Sequence, residues 1–243
     1  MNKSDICLII TGTIEPPAGV FKLSLSDKNV RRKQYIDSIK YYIQKTKIEK
    51  IIFCDNSDAL EEIELKMLAL KYNKEFEWIS FKGDNSSVVK QGKGFGEGEI
   101  IKYIFENSMI IKKCRMFVKV TGRLIVKNID TVINFTTNDF FYCDFQQNIV
   151  YTHFYVMPID MYKLYFMNAY NYVNDRDGHF LEHCFYNVRI NNSIQTKQFI
   201  IYPNITGISG STGERYDISV LKRIMRSIKG LLYNYCNIDI GKK

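Results

Sequence analysis

What this chain of 243 residues lacks narrows what it can be. No stretch approaches the eighteen or so consecutive apolar residues that a membrane-crossing helix needs. The short apolar run at 6–10 closes on Thr11-Gly12, too soon for the core of a secretory signal. Proline is scarce (4 residues), tryptophan occurs once, and no low-complexity linker or internal repeat marks a domain boundary, so one domain is expected over 1–243. The 6 cysteines, at 7, 54, 114, 143, 184 and 236, form no C-x-x-C pair and no metal-finger spacing. They read as small core residues of a protein kept in a reducing, cytoplasmic compartment. The formal net charge is +8, yet no basic block reaches about five residues, so nucleic acid is not an expected partner. The charge suits nucleotide phosphates or the anionic surface of a membrane, touched peripherally.

What the chain does have is material for a large core. Hydrophobic residues make up 46% and aromatics 14%, with 17 Tyr and 16 Phe, enough burial to offset the entropy of ordering the whole chain. Apolar runs at 6–10, 50–54 and 76–81 predict buried strands, and helical spacing at 30–46 and again before Tyr72 predicts helices between them. Asp55-Asn56-Ser57-Asp58 is placed to cap the second helix. Strand alternating with helix implies an α/β fold with a mostly parallel central sheet flanked by helices, which binds ligands beyond the carboxyl ends of its strands. Thr11-Gly12-Thr13 and Asp55-Asn56-Ser57 fall at such ends. Downstream, a flexible glycine loop is expected over 82–98 and a helix to about Ser108. A strand interrupted by Thr121-Gly122-Arg123 is expected at 115–126, further strands at 140–145 and 198–202, a helix at 179–188 and a basic terminal helix around 222–229, its apolar side packed on the core.

Several short patterns could carry chemistry. Gly92-x-Gly94-x-Gly96-x-Gly98 before a helix could bring backbone N–H groups to a phosphate, with Lys93 adding charge, although its spacing is not the dinucleotide fingerprint. His179-Phe180-Leu181-Glu182-His183 matches H-x-x-E-H, a zinc-peptidase spacing, but the only histidine left as a further ligand is His153. A buried helix face is the better reading, and no metal ligands are assigned. The one Asp-x-Asp, Asp175-Arg176-Asp177, lies late in the chain and reads as a capping loop, so a divalent metal, magnesium or manganese, has no well-placed carboxylate pair. In its stead Lys119-Val120-Thr121-Gly122-Arg123 offers two cations on one strand face that could neutralise a leaving diphosphate without metal. The first-turn basic residues Arg31-Arg32-Lys33 oppose their helix dipole and so invite another use.

Taken in order, Thr11-Gly12-Thr13-Ile14-Glu15-Pro16, Arg31-Arg32-x-x-Tyr35, Phe53-Cys54-Asp55-Asn56-Ser57, Lys93-Gly94-Phe95-Gly96-Glu97, Lys119-Val120-Thr121-Gly122-Arg123 and Gly207-x-Ser209-Gly210-Ser211-Thr212-Gly213 resemble bacterial capsular and lipopolysaccharide glycosyltransferases with a GT-A-like fold. The resemblance covers most of the chain. It implies a nucleotide-binding half, about 1–115, and an acceptor and catalytic half, about 116–243. It implies transfer of a sugar from a nucleotide-sugar donor to a glycan or lipid-linked oligosaccharide, with the chain cytoplasmic and at most peripheral to the inner membrane. Thr11, Gly12, Thr13, Asp55 and Asn56 would hold the base and ribose, and Arg31, Lys93 and Gly94 the phosphates. Glu182 would be the catalytic base, with Lys119 and Arg123 stabilising the diphosphate, and Asp144, His183, Ser211 and Thr212 would serve the acceptor or support the site. A carboxylate beside the anomeric carbon acts as base or as nucleophile according to its distance, which leaves the stereochemistry open. Two other readings compete: a sugar-phosphate nucleotidyltransferase, and a non-catalytic basic binding protein.

Overall fold

The computed structural model describes residues 5–208 and 213–236. In chain order the strands are β1 (Ile6–Gly12), β2 (Lys50–Asp55), β3 (Glu75–Ser80), β4 (Met116–Thr121), β5 (Ile125–Val126), β6 (Phe141–Gln146), β7 (Ile149–Pro158), β8 (Thr196–Lys197) and β9 (Ile205–Thr206). The helices are α1 (Lys28–Lys45), α2 (Ile63–Lys71), α3 (Asn85–Gln91), α4 (Lys93–Asn107), α5 (Ile129–Asn134), the single turn α6 (Ile159–Met161), α7 (Leu181–Asn191) and α8 (Val220–Cys236). Seven strands form one sheet in the order β3-β2-β1-β4-β7-β6-β8. The four from β3 to β4 are parallel, β7 runs against both β4 and β6, and β6 pairs β8 in parallel. This is the α/β class that the strand–helix alternation predicts.

β1 and β2 are buried along their whole length, as their unbroken apolar runs require. Two cores result, one per face. One gathers Cys7, Ile9, Ile101, Phe117, Tyr155 and Phe185 beneath α4 and α7, and the other Leu8, Ile10, Tyr42, Phe53, Val118 and Val156 beneath α1 and α5. Cys7, Cys54, Cys143 and Cys184 are buried free thiols. From β3 the chain crosses back over β2 and β1 to place β4 on the far side of β1, so strand order reverses between β1 and β4. A crevice opens beyond carboxyl ends at such a reversal. Register puts Gly12 opposite Asp55 and Thr11 opposite Thr121, which aligns three strand ends on that crevice.

Three local expectations change. The glycine run is not a flexible loop: α3 and α4 occupy 85–107, joined at Gly92 with φ 114°. Its other glycines serve close packing, since a Cβ at Gly98 would strike Tyr170 and one at Gly94 would lie 3.0 Å from Leu181 Cβ. The need for contact outweighs the helix propensity that glycine costs, about 1 kcal/mol per residue. The interruption expected at Thr121-Gly122-Arg123 is present: β4 ends at Thr121, Gly122 N–H turns to the Thr11 carbonyl, and β5 leaves to pair with β9. Asp55 does not cap α2, which begins after Glu62; it caps the loop, accepting from Ser57 N–H at 2.8 Å and Ala59 N–H at 3.1 Å. Residues 198–202 form no strand, because side chains of α8 satisfy their backbone: Asn234 bonds both Gln198 N–H and Gln198 C=O, and Ser227 accepts from Tyr202 N–H. Among the described residues no helix is long and apolar enough to cross a membrane.

Candidate active site

A cavity of about 460 Å³ lies over the crevice between β1 and β4. Its floor is Thr11, Gly12, Thr13 and Thr121 at the strand ends, with Asn56 beside them. Thr13 Oγ1 donates to Asn56 Oδ1 at 2.6 Å, which ties the ends of β1 and β2 together. Arg31 reaches back from α1 instead of pointing along the helix, and its guanidinium donates to the Thr13 and Leu25 carbonyls and to Tyr35 Oη. That bent path explains a basic residue in a helix first turn: it fixes the loop after β1. Arg32 is drawn away to an ion pair with Glu62 at 2.6 Å.

Arg123, in the turn after β4, presents its guanidinium to the same cavity and donates to Gln34 Oε1 at 3.1 Å. Burial draws its pKa below the ordinary arginine value, and the neighbouring Arg31 charge adds to that fall. Lys93 opens α4 and donates to the Lys22 carbonyl at 2.7 Å, and burial lowers its pKa also. Segment 13–27 covers this side with Pro16, Pro17, Phe21 and Lys22.

Three carboxylates line the same cavity. Glu182, in the first turn of α7, accepts from Thr152 Oγ1 at 2.7 Å, and burial raises its carboxyl pKa, assisted by the nearby Glu97 charge. Glu97 lies one turn beyond Lys93 on α4 and lines the same cavity. Asp175 is buried against the start of α4, where Gly94 N–H faces its carboxylate at 3.5 Å; burial again raises its pKa. The helix terminus expected to meet a phosphate therefore faces an internal carboxylate. Beyond Glu182 stands an aromatic row, Tyr151, His153 and Tyr216, with centroid separations of 5.8 and 5.2 Å. Burial and the Lys119 and Arg226 charges push the His153 pKa down to about 3, so its ring is neutral at physiological pH.

Of the residues singled out by sequence, Thr11, Gly12, Thr13, Arg31, Asn56, Lys93, Gly94, Arg123 and Glu182 line this cavity. Lys119 does not. It is fully buried on central strand β4, its ammonium donating to Glu97, to Thr121 Oγ1 at 2.9 Å and to the Thr152 carbonyl at 2.7 Å. Arg123 is no longer on that strand, so the two cations do not share a strand face. Asp55 is fully buried under the loop it caps. Asp144 lies in a separate small cavity below α8, bonded by Tyr202 Oη at 2.6 Å and paired with Arg226 at 3.4 Å. His183 Nδ1 accepts from Phe180 N–H at 3.1 Å and caps its own helix, ring-stacked on His179. Ser211 and Thr212 lie outside the described residues.

The late Asp-x-Asp does not form a cation dyad. Asp175 points into the cavity while Asp177 is exposed and held by Asn174 at 2.6 Å, and among the described residues no three His, Cys, Asp or Glu side chains converge as metal ligands. Sequence reasoning missed Glu97, Asp175 and the aromatic row. Glu97 was within reach: once 93–107 is a helix, Lys93 and Glu97 fall on one face at i, i+4.

No protein-family model matches the chain, and no curated protein does. Among solved structures, the Mn/GDP form of core-mannan synthase A from Aspergillus fumigatus aligns over 98% of this chain and 86% of its own, with 8% identity and a TM-score of 0.46. A cytidylyltransferase from Leptospira borgpetersenii aligns over 95% and 87%, with 11% identity and a TM-score of 0.44. A glycosyltransferase involved in glycosylation of the major capsid of PBCV-1 aligns over 80% and 80%, with 11% identity and a TM-score of 0.42. Likeness at this level attaches no activity to the chain.

Proposed function

We infer that the chain is a glycosyltransferase that moves a sugar from a nucleotide-sugar donor to a hydroxyl of a glycan or lipid-linked acceptor, of the kind assembled in bacterial surface polysaccharides. The observation that carries this reading is the charge arrangement of one cavity: Arg31 lies close enough to Arg123, and Glu97 to Glu182, for each pair to disfavour its own charge, and all four line the same space. Like charges held together in a cleft cost stability and are a signature of binding and catalytic sites. The arginines suit a diphosphate and the carboxylates an incoming hydroxyl. The sequence resemblance given above points the same way.

In this reading Thr11, Gly12, Thr13 and Asn56 hold the nucleoside, with Asp55 shaping their loop from beneath. Arg123 and Lys93 receive the diphosphate, and Arg31 keeps the Thr13 backbone in place. The acceptor oxygen attacks the anomeric carbon, Glu182 takes the acceptor proton, and the bond from that carbon to the diphosphate oxygen breaks, with the departing charge met by Arg123. Lys119 is a positioning residue that orients Glu97. The half at 1–115 supplies most of the donor site and the half at 116–243 supplies the base.

The test is a melting-temperature screen of the whole chain against nucleoside diphosphates and nucleotide sugars, with magnesium, with manganese and with chelator, because a ligand bound only by the native state raises its melting temperature. One nucleotide class should give a selective rise, and Arg123→Ala should weaken that ligand by roughly tenfold to a hundredfold. No rise with any nucleotide would end this reading. Pyrophosphate release from a nucleoside triphosphate and a sugar phosphate would replace it with nucleotidyl transfer.

A further inference from the structure

Helix α8 is packed with its faces reversed. A helix on a protein surface normally turns its apolar stripe to the core. In α8 the small and polar residues turn inward: Ser227 and Asn234 bond the 198–202 backbone, Arg226 pairs with Asp144, and Gly230 is buried where any Cβ would strike the Phe199 carbonyl. The outward arc carries Val220, Leu221, Ile224, Met225, Ile228 and Leu231, each between 42% and 68% exposed, and Tyr235, 71% exposed, extends it. The expectation that this arc packs on the core is overturned, because the backbone at 198–202 claims the polar side.

We propose that α8 is a membrane-docking helix that lies in the surface of an anionic phospholipid bilayer, its apolar arc at the acyl boundary and its cations among the headgroups. The charge pattern selects this occupant. Between Val220 and Cys236 there are four cations, Lys222, Arg223, Arg226 and Lys229, and no Asp or Glu; with Arg226 engaged by Asp144, Lys222, Arg223 and Lys229 are the three left to meet headgroups. A large apolar face flanked by basic residues is the pattern of helices that rest in lipid interfaces. A second copy of the same helix would set cations against cations with no carboxylate from either helix between them, at a protein net charge of +8. The position also fits a membrane-borne acceptor: Tyr216, which lines the cavity, precedes α8 by four residues in the sequence.

The whole chain is sedimented with vesicles of phosphatidylcholine alone or mixed with phosphatidylglycerol. The mixed vesicles should retain at least about tenfold more protein, and rising salt should release it. Leu221→Asn with Ile228→Asp should abolish retention at an unchanged melting temperature, since both side chains are exposed. Lys222→Gln with Lys229→Gln should reduce it while leaving the apolar arc whole. Equal retention on both vesicles, retention on neither, or retention unaffected by either pair of substitutions would overturn the proposal. So would a dimer in sedimentation velocity that Ile228→Asp dissolves, in a protein that vesicles do not retain. Vesicle binding is read without nucleotide and donor binding without vesicles, so failure of one leaves the other standing.

Discussion

Glu182 lies where burial disfavours its ionised form, and two consequences can be measured. Glu182→Gln should cut turnover by roughly a hundredfold to ten-thousandfold with donor binding kept, the signature of a lost general base. The same variant should melt higher at neutral pH. The folded-state pKa of Glu182 is raised, so its ionised form is less favourable in the folded than in the unfolded chain, and the variant removes that cost. As pH falls below the ordinary glutamate value, about 4.3, both states are protonated and the difference in melting temperature should vanish. If Glu182→Gln neither slowed turnover nor raised the melting temperature, the assignment would fail at both levels.

Lys119 makes a contrasting case, a cation whose three donors are all engaged within the protein. Lys119→Met should destabilise the fold by about 3 kcal/mol, the low end for breaking a buried pair, because Glu97 is left without its cation yet keeps some access to solvent. Adding Glu97→Gln should restore much of that loss in urea unfolding. Sequence spacing could identify Lys119 as a cation beside a strand end. It could not reveal that a fully buried ammonium must spend its donors on its neighbours, because Thr152 and Glu97 come from distant parts of the chain. Glu182 and Arg123 were legible for the opposite reason: each sits at an element end, where local pattern decides direction.

At the scale of elements, the early strands and helices follow from periodicity, since each carries its own apolar run or stripe. The failures are places where a distant partner overrides local preference. Glycines at 92, 94, 96 and 98 look like a loop until Leu181 and Tyr170 are set against them. Gly98→Ala should therefore destabilise the protein by roughly 1–3 kcal/mol through overpacking, whereas helix propensity alone predicts a gain. Unfolding that shifted towards greater stability would show that α4 does not pack on Tyr170. Residues 198–202 have strand composition, yet α8 takes the place of a neighbouring strand with side chains of its own. No pattern within either segment announces that exchange.

At the scale of the whole molecule, one hydrogen-bonded sheet passes beneath both halves, from β3 to β8, and the β1–β4 ladder crosses the boundary between them. Gly122 N–H adds a bond to the Thr11 carbonyl at 2.9 Å at the cavity floor itself. The floor consequently cannot open on a hinge without breaking that ladder, whereas segment 13–27, which lines the cavity without helix or strand, is not bound into the sheet. Amide hydrogen exchange should report this division: on donor binding, protection should rise across 13–27 and stay level in β1 and β4. A cavity with its floor in the sheet and part of its lining on a loop can change shape through a stretch of about fifteen residues while the floor stays as it is.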